Sequence, residues 1–247
     1  MRETSGPSAS LPRARPLKRR LGATTEVFLM GDNQKAKRSV ITSFFDAAEA
    51  RVAFLDELAD TGHEPEAMTL CLVYIDRFAQ SLCWPSASTG RNFVDALIQF
   101  GGEPLMALAH PLQAARAFGA MKTPWKALAE RIAGAFPGPS HEVVPISTFE
   151  QALAEHVTTA ELAQLKPELW RATIANVAYQ HLRNPAIHGF GTSGGIILSK
   201  TTWNDQPVSI LGFATLRNCA RGLIAEARRR SEANGQWFGD DAIVRGA

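Results

Sequence analysis

The chain has 247 residues, 45% of them hydrophobic, and a formal net charge of +2. That is enough apolar material for one large domain with its own core. No apolar run approaches the ~18 residues of a membrane span, and Val27-Phe28-Leu29-Met30 is too short for the core of a secretory signal.

The small net charge hides an asymmetry. Residues 1–38 carry nine Lys/Arg against three Asp/Glu, which leaves 17 against 21 in the rest. Arg13, Arg15, Lys18, Arg19 and Arg20 lie among Pro, Ser and Gly, a composition that cannot build a core. Residues 1–36 are therefore expected to be a disordered basic segment, suited to contacting phosphates. Cys71, Cys83 and Cys219 are odd in number and fit no metal or redox spacing. A reduced, cytoplasmic protein without metal or other cofactor is expected.

From Arg38 the pattern turns helical. Val40, Ile41, Phe44, Phe45, Ala48, Val52, Leu55 and Leu58 recur at three- and four-residue steps, and Thr61-Gly62 ends the run. A second helix is predicted from Glu66 to Leu82, with Leu70, Val73, Tyr74, Phe78 and Leu82 on its apolar side, closed by Trp84-Pro85. A third runs from Arg91 to Phe100. Residues 104–119 and 123–136 read as inserted helices, followed by a loop at Pro137-Gly138-Pro139-Ser140 and an extended piece at Val143–Ile146. Ser147-x-x-Glu150 and Thr158-x-x-Glu161 each match a capping box.

A longer helix is expected from Pro167, with Leu169, Trp170, Ile174, Val177 and Ala178 inward. Pro185 disfavours a helical Asn184, so the helix should stop near Arg183. Asn184 would then cap a short new turn. Gly189, Gly191, Gly194 and Gly195 suggest a loop. Ile196–Lys200 and Val208–Leu211, on either side of Asn204-Asp205, suggest a small hairpin. The last helix runs from Phe213 to Ala233, with Arg228-Arg229-Arg230 suited to its C-terminal dipole. The domain is thus expected over 37–235, with inserted helices at 104–160 and a tail at 236–247. The scattered tryptophans read as packing. Gly189-x-Gly191-x-x-Gly194 follows no buried strand, so it is no dinucleotide fingerprint.

Chemistry concentrates in Arg183-Asn184-Pro185-Ala186-Ile187-His188. Histidine moves protons near neutral pH, and arginine holds a phosphate in a planar fork without losing its charge. A helix end adds amides that favour an anion. The structural alternative is an Arg183 paired with a carboxylate and a His188 capping carbonyls.

The motif resembles the hallmark of the HEPN superfamily: Arg, a polar residue, a short spacer, then His. Tyr179–Leu182 and Gly189 are similar to that family's usual surroundings. The resemblance implies an all-α helical bundle and a metal-independent endoribonuclease of toxin or anti-phage type that leaves a cyclic phosphate. It implies a homodimer with two motifs facing each other, RNA as substrate, and an antitoxin or defence-system partner. Arg183 would bind the scissile phosphate, His188 would act as acid or base, and Asn184 would assist. Asp76 lies on the second helix, where such enzymes often place a supporting polar residue; Tyr74 is its neighbour candidate, and His181 a further one. Many members of the family bind nucleic acid or protein without cutting. Catalysis requires Arg183 and His188 to converge beside an open basic groove, in the single chain or only in the dimer. An Arg183 buried in an intramolecular ion pair, with His188 facing solvent elsewhere, counts against the enzyme.

Overall fold

A computed structural model describes residues 23–83, 88–121, 131, 143–188, 202–203, 206–207 and 211–237. Side chains are described within this set except at 23–32, 187–188, 202–203 and 206–207. The chain divides into two compact units, Met1–Ala36 and Lys37–Ala247. The fold is all-α, and the strands among the described residues are two residues long.

Helix α1 spans Ala23–Asp60. Helical structure therefore reaches back to Ala23, into the segment expected to be disordered over 1–36. From Ile41 onward its inward face is Ile41, Phe45, Ala48, Val52 and Leu55, the alternating four- and three-residue steps of an amphipathic helix. Val40, which belongs to the same apolar pattern, is exposed.

Helix α2 (Glu64–Leu82) follows Gly62, whose φ of 91° suits a residue without Cβ. It buries Met68, Cys71, Leu72, Ile75, Phe78, Ala79 and Leu82. Leu70 and Val73, expected inward, are exposed. They lie off the stripe that the three- and four-residue steps from Met68 define. Helix α3 (Thr89–Phe100) starts at Ser88, whose hydroxyl accepts from the Arg91 amide.

Helix α9 (Phe213–Asn234) buries Leu216, Cys219, Ala220, Leu223, Ile224 and Ala227 against α2 and α3. It ends at Gly235 with φ 60°, the left-handed cap that glycine accepts most easily. The crossing is close: a Cβ on Gly222 would stand 2.4 Å from the Phe100 carbonyl oxygen. Burial pushes the thiols of Cys71 and Cys219, both in this core, up to about 12.

Between α3 and the motif the chain builds a smaller core of Ala109, Ala114, Phe118, Phe149, Leu153, Leu165, Leu169 and Ala172. Residues 104–119 are not one helix. Pro104–Ala107 is a 3-10 turn, β1 is Leu108–Ala109, and α4 is Pro111–Gly119. Strand β1 pairs antiparallel with β2 (Val144–Pro145), inside the predicted extended piece.

Helix α5 (Ile146–Ala154) follows directly on Pro145. Ser147 therefore falls inside the helix and cannot cap it, and Glu150 pairs with Lys166 instead. The second capping box forms: Thr158 and Glu161 bond reciprocally ahead of α6 (Thr159–Leu165). The predicted helix at 123–136 lies outside the described residues apart from Arg131, and so does the loop at 137–140. Strands β3 (Thr202–Trp203) and β4 (Gln206–Pro207) pair antiparallel around Asn204-Asp205, nearer the turn than the strands expected. The glycine-rich stretch 189–195 and residues 196–200 are outside the described set.

Candidate active site

The helix that carries the motif does not begin at Pro167. Lys166–Ala172 is a 3-10 helix, and the chain breaks at Thr173. Thr173 is buried; its hydroxyl donates to the Trp170 carbonyl at 2.7 Å and accepts from the Asn176 amide at 3.2 Å. This cap starts α7 (Ile174–Ala178), whose residues are all buried.

No stop occurs at Arg183. A π turn at Tyr179–Arg183 leads straight into α8 (Asn184–His188), and Asn184 has helical φ −63° and ψ −48°. The reason lies in Pro185, which has no N–H and whose ring crowds the carbonyl four residues back. Widening the preceding turn lets the Asn184 amide reach the Tyr179 carbonyl, a bond across five residues. The helix thereby carries the proline without ending.

Widening fixes where Arg183 points. Its Nε donates to Asp76 Oδ1 at 3.0 Å and its Nη2 to Asp76 Oδ2 at 3.1 Å. Nη1 donates to Asn184 Oδ1 at 3.2 Å. Asp76 and Asn184 thus accept from three of the five guanidinium N–H groups. The guanidinium also stands 5.4 Å from the centre of the Tyr179 ring.

The Arg183 side chain is 10% exposed and that of Asp76 is 22%. A bidentate pair at this depth holds both partners in one geometry. Tyr179 is itself wedged between Phe93, at 5.5 Å between ring centres, and Gly90. A Cβ on Gly90 would stand 2.8 Å from the tyrosine ring, so the absence of a side chain there makes room for the tyrosine.

The structure therefore brings Asp76, Arg183 and Asn184 together. Arg183 lies in a buried intramolecular ion pair, one half of the arrangement that would count against catalysis. The main chain of His188 ends α8, while its side chain lies outside the described residues. Tyr74 is half-buried against the main core and makes none of the contacts to Arg183. His181 is exposed and borders a separate cavity.

Tyr179 and Gln180, which accepts from Asn184 Nδ2 at 3.5 Å, are the residues the motif alone did not single out. Tyr179 stands four residues before Arg183, a spacing that puts two helical side chains side by side.

Among the described residues, no group of three or more His, Cys, Asp or Glu side chains is placed to hold a metal ion, and no helix is long and apolar enough to cross a membrane. Comparison with protein-family models, with curated proteins and with solved structures finds no match to this chain.

Proposed function

We propose that this chain is an HEPN-like endoribonuclease of toxin or phage-defence type. The observation that carries the reading is the meeting of Asp76, Arg183 and Asn184, from two helices 107 residues apart in sequence, at a π turn. Turns of this kind occur frequently at functional sites.

The reaction needs no metal. The ribose 2′-oxygen attacks phosphorus, the bond to the 5′-oxygen breaks, and a 2′,3′-cyclic phosphate and a 5′-hydroxyl result. His188 takes the 2′-hydroxyl proton, and His188 of a second copy gives a proton to the departing 5′-oxygen. Arg183 offsets the charge that grows on the phosphorane. Asp76 acts as a positioning residue, holding the guanidinium in one orientation before the substrate arrives.

A second reading rests on the depth of Arg183, which is 8% exposed and gripped by Asp76 through two nitrogens. In this reading the pair is structural and the domain binds nucleic acid or a partner protein without cutting.

The test incubates the purified protein with total RNA in chelator, comparing wild type with His188→Ala and Arg183→Lys. The fold of each variant is checked by circular dichroism. Fragments with 5′-hydroxyl ends, abolished by His188→Ala in a folded protein, are expected. Intact RNA in every lane, with salt-dependent RNA affinity that survives His188→Ala, replaces the enzyme with the binding domain. Fragments undiminished by His188→Ala overturn the assigned site.

A further inference from the structure

Beside the π turn, and not lined by Arg183, is a cavity of about 380 Å³. It has the size of small-ligand sites. Six polar side chains border it: Gln113 and Arg116 from α4, Arg171 from the 3-10 helix, Asn176 from α7, and Gln180 and His181 from the π turn. Alanine, valine and methionine side chains complete the wall. No acidic residue lines it among the described residues.

Two features set this cavity apart from an ordinary surface hollow. The first is its carboxamides. Gln113, on the wall, is only 7% exposed. Asn176 is 4% exposed; its Nδ2 donates to the Arg171 carbonyl at 2.8 Å, while its buried Oδ1 has no partner. A buried acceptor without a partner is costly to keep, and the Asn176 oxygen is such an acceptor on a residue that borders the cavity.

The second feature is its charge. Arg116 is exposed and forms no ion pair with a described carboxylate. Arg171 gives its Nε to Glu168 and lies 4.4 Å over the Trp170 ring, which leaves the guanidinium flat and braced.

We propose that the cavity binds a nucleoside phosphate. Arg116 and Arg171 hold the phosphate. Gln113, Asn176 and Gln180 meet the hydrogen-bonding edge of the base, since carboxamides offer donor and acceptor side by side. His181 presents a ring on which a base can stack. The proposal does not rest on RNA cleavage. Through Gln180, which also accepts from Asn184, the cavity nonetheless adjoins the Arg183 cluster.

Isothermal titration of the full chain with the four ribonucleoside monophosphates, their nucleosides and inorganic phosphate tests it. At least one monophosphate is expected to bind more tightly than both its nucleoside and phosphate. Arg116→Ala should weaken it about ten-fold while leaving the nucleoside unchanged. Gln113→Leu should weaken it about ten-fold while leaving phosphate unchanged.

Arg116 is on the surface, so its variant is expected to fold. His188→Ala should bind the monophosphate as the wild type does, which separates this site from the cleavage site. Displacement of the nucleotide by a single-stranded oligoribonucleotide would identify the ligand as a residue of RNA, and lack of displacement as a free nucleotide. Binding of phosphate as tight as that of every nucleotide, or nucleotide affinity untouched by Arg116→Ala, overturns the proposal.

Discussion

Arg183 and Arg228 both meet carboxylates, yet in opposite manners. Arg183 pairs with the Asp76 carboxylate in a seam where its side chain is 10% exposed. Arg228 has three, Asp46, Glu49 and Glu232, around a side chain that is 25% exposed and beside partners more open still. The first places its charge pairing at depth on one carboxylate, and losing that carboxylate would leave a buried charge poorly compensated. The second is redundant and solvated, and each member contributes little. Only the first can hold a guanidinium in one pose.

The largest effect should follow Asp76→Ala, which leaves Arg183 without that carboxylate. A loss of about 3–5 kcal/mol is expected in urea unfolding. A loss within about 1 kcal/mol, like that of an exposed pair, would erase the distinction between the two arginines. A double-mutant cycle with Arg183→Ala measures the pair term itself.

Thr173→Ala should cost about 1 kcal/mol through the lost helix cap, again by urea unfolding. An unchanged midpoint would mean that α7 is held in place by packing alone.

The smallest effect concerns Glu226, whose carboxylate accepts from two arginines. Bonds from Arg229 and Arg230 hold the Glu226 carboxyl near 2, below its usual 4.5. A depressed carboxylate favours the folded state above its unfolded value, and that contribution fades as pH falls. The wild type should therefore lose more stability than Glu226→Gln between pH 4.5 and 2. Identical acid profiles would show that this network contributes nothing measurable.

Much of the helical frame was legible because its signals are local. The final helix, expected over Phe213–Ala233, is found over Phe213–Asn234, and the Thr158–Glu161 capping box was readable from four consecutive residues. Ser147-x-x-Glu150 has the same letters, but Pro145 already holds the cap position, so the hydroxyl falls two residues too late. The inward face of α2 was misread at Leu70 and Val73, since apolar residues crowd that helix on more than one side.

Asp76 could be named as a candidate by its type and its helix. Its fork with Arg183 spans 107 residues and depends on tertiary packing. The cavity was invisible for the same reason, its walls coming from residues 113–121 and 171–181. Pro185 misled because the restriction on the residue before proline is a local bias against the helical region, and Asn184 is helical in spite of it beside the widened turn.

That wide turn has a genetic meaning. Successive residues of an α-helix are rotated by about 100°, so a turn closed across five residues is how a helix absorbs one extra residue without ejecting it as a loop. Loss of a single codon within 179–183 would restore an unbroken helical phase and swing everything from Asn184 onward through about 100°. Asn184 would leave Arg183 and Gln180, and Pro185 would face a carbonyl it cannot serve. One inserted residue thus sets the aim of the motif's second half.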